Sequence, residues 1–277
     1  MAKTERIDVL LVEQGFFPSR EKAKKMIMAS LVFVSGQRED KAGTKIDKLA
    51  KITVKADPNP YVSRGGLKLH KAIGRFTIDL KDKTCMDVGA STGGFTDCML
   101  QHGATKVYSV DVGYGQFDWG LRQDSRVVCL EKTNVRYITD KQVADPLDFV
   151  SIDVSFISLS KVLPAVVALM KDRGNIVCLI KPQFEAGRDK VGKKGVVKEP
   201  TTHIEVISNI MDVFELNKLF INGFDFSPIT GPEGNIEYLI YGSKHLDYSL
   251  LSEENRGMHI NTIKELVSNA HRQLYRK

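Results

Sequence analysis

The stretch that decides the fold is residues 85–97, which read Cys85-Met86-Asp87-Val88-Gly89-Ala90-Ser91-Thr92-Gly93-Gly94-Phe95-Thr96-Asp97. An apolar strand pattern runs into a turn of small residues, and a helix start follows at once. A glycine-rich turn of this kind lets the backbone approach a ligand, and the first N–H groups of the helix favour a polar or anionic group. The stretch therefore predicts a nucleotide-type pocket.

The next strand pattern, residues 106–111, ends in the carboxylate of Asp111, about 20 residues after the turn. Folds with such a turn hold the hydroxyls of a ribose with an acid at this place. The turn and Asp111 fit one binding unit. A tight turn without a ligand is less favoured, because Asp87 and Asp111 both lie beside it.

Two other interpretations of the turn are open. Gly89, Ser91 and Gly94 have the G-x-G-x-x-G spacing of a dinucleotide fingerprint, but a serine replaces the second glycine. Residues 89–93 also match the G-x-S-x-G nucleophile elbow of hydrolases. A hydrolase normally has several strands before the elbow, whereas here the elbow opens the domain.

In the third interpretation, the turn belongs to a methyltransferase. The pattern Asp87-x-Gly89-x-Ser91-x-Gly93-Gly94 resembles the first motif of the S-adenosylmethionine (SAM)-dependent methyltransferases. That resemblance implies SAM as the cofactor, with Asp111 as the ribose acid.

Composition limits the class of protein. With 277 residues, 42% hydrophobic and 27% charged, the chain has room for one large and one small globular domain. It contains no uncharged run near the ~18–20 residues of a membrane span and no signal-peptide pattern, so we expect a cytoplasmic protein that does not bind membranes. Its four cysteines are far apart and form no C-x-x-C motif, so we expect buried reduced thiols and no metal site.

Charge is unevenly distributed along the chain. Residues 1–76 carry 16 Lys and Arg against 8 Asp and Glu, whereas residues 77–277 carry 24 against 26. A positive excess at one end indicates a surface for a polyanion such as RNA or DNA, although a solvated basic face would look similar.

The basic end has the pattern of a small α+β module. We predict a helix over residues 4–14, capped by Thr4, and a second helix after Pro18-Ser19, with strands near 31–37 and 52–54. Ala23, Met26 and Ile27 form the buried stripe of the second helix. That stripe leaves the basic residues of the helix on its outer face: Arg20, Lys22, Lys24 and Lys25.

This module resembles the S4-type RNA-binding domain over about residues 4–60. The segments that carry the resemblance are Arg6-Ile-Asp-Val-Leu-Leu-Val, Ser19-Arg20-Glu-Lys-Ala-Lys and Leu31-Val-Phe-Val-Ser-Gly36. The resemblance implies that the basic second helix lies against RNA phosphates, which give affinity with little sequence discrimination. The residues that it implies as RNA contacts are Arg6, Ser19, Arg20, Lys22, Lys24, Lys25 and Lys41.

A proline-containing link at about residues 56–62 separates this domain, residues 1–60, from a larger one at residues 61–277. Strands and helices alternate in the larger part, which predicts an α/β fold with a mostly parallel sheet covered on both faces. Asp153 and Lys181 follow two of its strands, so both should face the same crevice as the glycine turn. For either residue alone, a surface salt bridge would be the ordinary interpretation.

Lys68, Asp153, Lys181 and Glu237, in this order and spacing, match the Lys-Asp-Lys-Glu tetrad of the FtsJ-like RNA ribose 2′-O-methyltransferases. Together with the S4-like module, Tyr61-Val-Ser-Arg-Gly-Gly-Leu-Lys68 and Thr133-Asn134-Val135-Arg136, nearly the whole chain resembles the TlyA family. Members of that family are often labelled hemolysins and include ribosomal-RNA 2′-O-methyltransferases. The resemblance implies a Rossmann-like, SAM-dependent enzyme whose partner is ribosomal RNA or a ribosomal subunit.

The residues favour a ribose oxygen as methyl acceptor. Asp153-Val-Ser-Phe lacks the Asn/Asp-Pro-Pro-aromatic pattern of many amino-group methyltransferases, and no cysteine lies at a strand end as a nucleophile. A ribose hydroxyl needs help to lose its proton, either from a base or from a charge that stabilises the alkoxide, and Lys181 is suited to either role. Asp153 and Glu237 would hold the lysines, and Lys68 would orient the ribose.

The residues expected at the cofactor are Asp87, Gly89, Ser91, Gly93, Gly94, Asp111, Asn134 and Asp153, with Asn134 beside the adenine. Two other functions are considered. A non-catalytic RNA-binding or ribosome-assembly factor would keep the fold, but loss of a tetrad residue would have favoured it and none is lost. A membrane-lytic hemolysin would need a long apolar run or a strongly amphipathic basic helix, and the sequence has neither.

Overall fold

The structure, a computed structural model, describes residues 4–17, 19–28, 30–55, 59–244 and 254–275, without the side chains of residues 254–260. Pro18, which was expected to start the second helix, and residues 56–58 of the expected linker lie outside the described residues. The chain divides into two compact units, Met1–Pro60 and Tyr61–Lys277.

The first unit is small and mixes two helices with short strands. Its elements are β1 (Thr4–Arg6), α1 (Ile7–Glu13), α2 (Arg20–Met28), β2 (Val32–Val34), β3 (Gln37–Glu39), β4 (Lys45–Asp47) and β5 (Ile52–Val54). β1 pairs with β4, and β2 lies between β3 and β5, with every pair antiparallel. The two helices and the strands bury one apolar cluster, formed by Ile7, Leu10, Leu11, Ala23, Met26, Ile27, Val32 and Ile46.

The predicted second helix and its stripe of Ala23, Met26 and Ile27 are confirmed. The predicted helix over residues 4–14 is wrong at its start, where Thr4–Arg6 form a strand. Glu5 pairs with Ile46 of β4, and the N–H of Ile7 donates to the Thr44 carbonyl at 2.9 Å. Helical spacing of Ile7, Leu10 and Leu11 could not show this, because the pairing partner lies far along the chain.

The second unit alternates helices and strands. Its elements are α3 (Gly66–Phe76), β6 (Thr84–Val88), α4 (Gly94–Gln101), β7 (Lys106–Val110), α5 (Trp119–Gln123), β8 (Val127–Leu130), β9 (Leu147–Ile152), α6 (Leu163–Leu169), β10 (Met170–Ile180), α7 (Pro182–Glu185), α8 (Pro200–Leu216), β11 (Leu219–Phe226), β12 (Tyr238–Lys244) and α9 (Glu254–Leu274).

The seven strands of this unit form one sheet in the order β11-β12-β10-β9-β6-β7-β8. β12 runs antiparallel to its neighbours β10 and β11, and the remaining pairs are parallel, so the mostly parallel α/β fold is confirmed. The chain places β7 and β8 on one side of β6 and then returns to place β9 and β10 on the other. This reversal opens a crevice beyond the carboxyl ends of β6 and β9, where ligands of such sheets bind.

Both faces of the sheet are buried. Successive side chains of a strand point to opposite faces, so one strand can contribute to two apolar clusters. Met86 and Val88 of β6 belong to one apolar cluster, which also contains residues of α6, α8 and α9. Cys85 of the same strand belongs to a second cluster with residues of α3 and α4. The sheet is therefore fixed between two layers of helices, and its carboxyl edge is held rigidly.

Two local differences from the predictions have simple causes. We expect a helix near residues 159–171 from the sequence, but α6 ends at Leu169, since Met170 already pairs with Leu147 as the start of β10. α5 was not predicted, because it is too short to show periodicity. Its start is capped by the Asp118 carboxylate, which accepts from the N–H groups of Gly120 and Leu121. Within the described part of the chain, no helix is long and apolar enough to cross a membrane.

Candidate active site

Four charged side chains meet at the carboxyl edge of the sheet, and we refer to Lys68, Asp153, Lys181 and Glu237 as the tetrad. Asp153 follows β9, and Lys181 follows β10. Glu237 comes before β12, and the reversed direction of β12 brings its start to the same edge. Lys68 reaches them from the first turn of α3.

The tetrad is a continuous chain of ion pairs. Lys68 Nζ lies 2.6 Å from Glu237 Oε2 and 3.3 Å from Asp153 Oδ2. Lys181 Nζ lies 2.5 Å from Asp153 Oδ1 and donates to the Ser155 hydroxyl at 3.1 Å. Two lysines and two carboxyl groups thus alternate along the cluster.

The four side chains are largely withdrawn from water. Their exposed fractions are 10% for Lys68, 16% for Asp153, 10% for Lys181 and 2% for Glu237. Burial acts to lower the pKa of Lys68, but the carboxylates of Asp153 and Glu237 outweigh it and raise that pKa. Burial likewise acts to raise the pKa of Asp153, but attraction to Lys68 and Lys181 lowers it overall. Both groups are therefore charged near neutral pH.

The glycine turn lies directly against Asp153. The N–H of Asp153 donates to the Val88 carbonyl at 2.9 Å, and a Cβ at Gly89 would collide with the Asp153 carbonyl oxygen. Gly89 also has a φ of +85°, which other residues rarely adopt. A side chain at this position would therefore push the turn away from the tetrad.

Gly93 and Gly94 are constrained by protein atoms. A Cβ at Gly93 would meet the side chain of Leu121, and one at Gly94 would meet Ser63. Both glycines are buried. Their small size is thus already required by packing around the start of α4, whereas the exposed Ser91 at the tip of the turn faces solvent.

Asp87 lies beneath the turn and is completely buried. Its Oδ2 accepts from the backbone N–H of Thr96 at 2.9 Å and from the Thr96 hydroxyl at 2.7 Å. Burial raises the pKa of Asp87 to about 7, although the hydrogen bonds from Thr96 oppose the shift. Asp87 thus acts as a positioning residue that ties β6 to the first turn of α4. Its carboxylate occupies one of the helix N–H groups that were expected to face a ligand.

Asp111 holds the turn from the end of β7. Its Oδ2 accepts from the Ser91 N–H at 2.7 Å, and its Oδ1 accepts from the Gly113 N–H at 2.6 Å. Its backbone carbonyl accepts from the N–H of Thr133, the neighbour of Asn134, at 2.9 Å. The structure thus brings Ser91, Asp111 and the Asn134 segment together, and the Asn134 side chain caps the following turn by accepting from the Arg136 N–H.

Three residues beside the tetrad were missed as site candidates by sequence reasoning. Ser155 contacts Lys181, and Phe156 is 90% exposed with a φ of +64°. The rings of Phe156 and Phe184 lie 4.9 Å apart between centroids. The available signal was Phe156, an aromatic residue three positions after Asp153 at the end of a strand. Its exposure cannot be inferred from the sequence of one phenylalanine.

The first unit has an organised basic surface of its own. Asp8 is fully buried in it and pairs with two arginines, Arg6 at 2.9 Å and Arg20 at 2.8 Å. The hydrogen bond from Arg6 holds the pKa of Asp8 well below its usual range, against the effect of burial. Almost half of each arginine side chain stays exposed. The buried carboxylate therefore fixes the orientation of two guanidinium groups at the surface.

The other predicted RNA contacts of this unit are less uniform. Lys22, Lys25 and Lys41 are exposed, and Lys24 is half-buried. The Ser19 hydroxyl accepts from the Lys22 N–H at 3.3 Å, so it caps the start of α2.

Comparison with known families agrees with this geometry. Residues 61–244 match the model of the FtsJ-like methyltransferases, and residues 5–48 match the S4 domain. The 16S/23S rRNA (cytidine-2′-O)-methyltransferase TlyA of Mycobacterium tuberculosis is 40% identical over 251 residues, which are 90% of this chain and 94% of that protein. The chain belongs to the TlyA family of FtsJ-like methyltransferases.

Two further TlyA-like proteins cover the whole chain. YqxC of Bacillus subtilis, whose name proposes an rRNA methyltransferase, is 47% identical over 277 residues, 100% of this chain and 97% of its own length. A solved structure of a proposed hemolysin from Streptococcus thermophilus is 44% identical, with a TM-score of 0.77, and covers 100% of this chain and 98% of that one. The family resemblance found in the sequence is thus confirmed.

Proposed function

We propose that this methyltransferase transfers the methyl group of SAM to the ribose 2′-oxygen of a cytidine in ribosomal RNA. The observation that carries the proposal is the ion-paired tetrad beside the glycine turn, at the edge where ligands of open α/β sheets bind. The names of the TlyA relatives support the choice of ribosomal RNA and of cytidine.

The residues around the turn fit SAM. A carboxylate offers about four lone-pair positions, and the N–H groups of Ser91 and Gly113 take two of those of Asp111. About two remain for the vicinal hydroxyls of a ribose. Val112, next to Asp111, is an apolar side chain with 70% of its surface exposed, which suits one face of an adenine. When bound, SAM supplies an electrophilic methyl group on a sulfonium sulfur.

We assign the residues of the tetrad as follows. Lys181 would contact the 2′-hydroxyl as the O–H proton leaves. Two roles are open to it: a neutral amine would take the proton, and an ammonium would stabilise the charge that develops on the oxygen. Asp153 holds Lys181, and Glu237 and Asp153 hold Lys68, which orients the ribose. The burial of these groups strengthens each interaction.

The Phe156–Phe184 pair provides a stacking surface beside the tetrad. Base stacking on an aromatic side chain contributes about 1–3 kcal/mol in single-stranded nucleic acid complexes. A cytosine that has left its helix could stack on Phe156, which would bring its own ribose next to Lys181. The positive φ of Phe156 is consistent with a backbone held in a costly conformation for a functional reason.

The S4 unit, proposed to span residues 1–60, would hold the substrate RNA by its phosphates, and residues 61–277 would carry out the chemistry. The Arg6–Asp8–Arg20 arrangement and the lysines of α2 support this role, since phosphate contacts require oriented cations but no sequence code. Ribosomal RNA as substrate also implies that the enzyme works in the cytoplasm.

The direct test is to incubate the full chain with labelled SAM and isolated ribosomal subunits, and then to map 2′-O-methylated nucleotides. We expect one or a few methylated cytidines that are absent without enzyme. Label on a base, or no label on either subunit while SAM binds, would contradict the proposal. The latter result would favour a non-catalytic assembly factor. Leakage from liposomes in the absence of SAM would instead favour the membrane-lytic function.

A further inference from the structure

A second cluster of reactive side chains lies where α3 packs on α4. It consists of His70, Cys98 and His102, and one ligand atom from each lies within 4.8 Å of the other two. The two imidazole rings meet edge to face, with centroids 5.4 Å apart. None of the three residues belongs to the tetrad or to the glycine turn.

The fold brings these residues together in a simple way. Cys98 and His102 are four positions apart at the end of α4, so they lie one above the other on one face. His70 comes from α3, two positions after Lys68. The sequence predicted no metal site, because spacing along the chain cannot show that α3 supplies the third residue.

Hydrogen bonds orient the histidine rings of the cluster. His102 Nδ1 lies 3.7 Å from the Cys98 sulfur and 2.8 Å from the Cys98 carbonyl oxygen, to which it donates because a carbonyl only accepts. Binding of an ion through this nitrogen would replace that hydrogen bond and move the ring proton to Nε2. The Tyr61 hydroxyl lies 2.7 Å from Nδ1 of His70 and also bonds the Cys98 thiol. Metal-binding histidines commonly use their second nitrogen in such bonds, which orient the ring.

Access to the cluster is open on one side. Cys98 is buried, His102 is half-buried and His70 is exposed. An ion could therefore enter past His70, and the two histidine rings have room to adjust toward it.

We propose that His70, Cys98 and His102 bind a Zn²⁺ ion, with water as the fourth ligand. One thiolate and two imidazoles are a soft donor set that suits zinc and does not suit Mg²⁺ or Ca²⁺. Zn–S bonds of about 2.3 Å and Zn–N bonds of about 2.0–2.1 Å require ligand atoms about 3.3–3.6 Å apart. Because the ligand atoms of the cluster lie within 4.8 Å of one another, the widest separation has to close by about 1.2–1.5 Å, through rotation of the exposed His70 and half-buried His102 rings, to complete the site.

Binding forms a Zn–S bond and releases the thiol proton to the buffer. The ion then joins α3, which carries Lys68, to α4, which begins at the glycine turn. We infer that zinc stabilises the second unit by clamping these helices, independently of whether the chain methylates RNA.

The test uses the full chain, purified without a polyhistidine tag and stripped of metal with a chelator. Titration with Zn²⁺ against a competing chelator should give one ion per chain, and Co²⁺ in place of Zn²⁺ should give a thiolate-to-cobalt absorption band. Zn²⁺ should also raise the melting temperature of the wild type. In Cys98→Ser the cobalt band should vanish, and in His70→Ala the zinc dissociation constant should rise about tenfold or more.

Cys129→Ser is the matched control, because Cys129 lies in β8 and is not one of the three clustered residues, and its replacement should leave all three readouts unchanged. His70 is exposed, so His70→Ala keeps the test valid even if Cys98→Ser does not fold. Wild type without stoichiometric zinc, or a cobalt band that survives in Cys98→Ser, would overturn the proposal. Equally weakened binding in Cys129→Ser would overturn it as well.

Discussion

At the scale of single residues, the surroundings of Lys181 restrict its side chain. Its Nζ forms an ion pair with the Asp153 carboxylate and donates a hydrogen bond to the Ser155 hydroxyl. Asp153 is itself held by Lys68, so it cannot turn away without leaving buried charge unpaired. Lys181 is thereby held in one orientation at the carboxyl edge of the sheet.

Lys181→Ala should therefore lower kcat by roughly 10²-fold or more while SAM and RNA affinities change little, because the contact matters mainly in the transition state. Single-turnover 2′-O-methylation measures this. Lys171→Ala is a matched control, since Lys171 forms a similar pair with Asp148 at the start of β10, on the opposite edge of the sheet. Full activity of Lys181→Ala would remove Lys181 from the chemistry.

The same assay separates the two roles of Lys181. Lys181→Arg retains a charge that cannot be removed near neutral pH. Substantial activity of this variant would indicate that charge stabilisation suffices, and activity as low as that of Lys181→Ala would indicate that a neutral amine takes the proton. Asp153→Ala combined with Lys181→Ala should cost much less than the sum of the two single effects, because the residues act as one unit.

Asp111→Ala should weaken SAM binding by about 1.5–3 kcal/mol, as expected when hydrogen bonds to a charged group are removed. The weakening has two sources, the contacts to the ribose and the release of the Ser91 and Gly113 N–H groups that shape the turn. Calorimetry with SAM measures it, and Asp124→Ala, at a surface pair before β8, is the control. An unchanged SAM affinity, or binding of NAD in place of SAM, would rule out this assignment.

At the scale of secondary structure elements, α2 separates into residues that hold the fold and residues available to a partner. Ala23, Met26 and Ile27 are buried, and Arg20 neutralises the buried Asp8. Replacing Arg20 would therefore test stability and RNA binding together, because Asp8 would lose a partner. Lysines further along the helix are the better probes.

Lys24→Gln with Lys25→Gln should weaken RNA binding and reduce the slope of log affinity against log salt concentration by about 0.7–0.9 for each phosphate that the protein no longer neutralises. SAM affinity should not change. Lys51→Gln with Lys55→Gln, beside β5, changes the charge of the same unit equally and serves as control. If both double variants show the same dependence of RNA affinity on salt concentration as the wild type, α2 is only a solvated basic face.

At the scale of the whole molecule, two buried groups give opposite pH dependence to stability. His203 is fully buried; its Nε2 donates to the Val197 carbonyl at 2.9 Å, and its Nδ1 accepts from the Tyr238 hydroxyl at 2.6 Å. Burial lowers the pKa of His203 to about 4. As pH falls from about 6.5 toward 4, the unfolded chain gains a proton that the folded chain refuses, so the folded state loses stability. Asp87, with its pKa raised to about 7, acts in the reverse direction.

We therefore expect the stability advantage of wild type over His203→Gln to shrink by about 2–3 kcal/mol between pH 7 and pH 4.5. The advantage over Asp87→Asn should instead shrink by a similar amount, about 3 kcal/mol, as pH rises over the same range. Urea unfolding followed by circular dichroism at several pH values gives both differences. Parallel pH curves for all three proteins would show that neither group has a shifted pKa.

The sequence by itself determined the two-part organisation, the strand-turn-helix unit around Gly89, the basic stripe of α2 and the order of the tetrad. These features are local patterns or fixed motifs, in which neighbours along the chain carry the signal. These patterns are visible without the tertiary structure.

Only the tertiary structure decided which distant groups meet. It paired Asp8 with Arg20, buried Asp87 under Thr96, and brought Glu237 to the carboxyl edge of the sheet by reversing β12. It also set His70 beside Cys98 and His102, and it exposed Phe156 beside Phe184. The physical reason is common to all of these: strand direction, helix packing and the burial of charge depend on contacts between segments far apart in the chain, and these contacts leave no periodicity in the sequence.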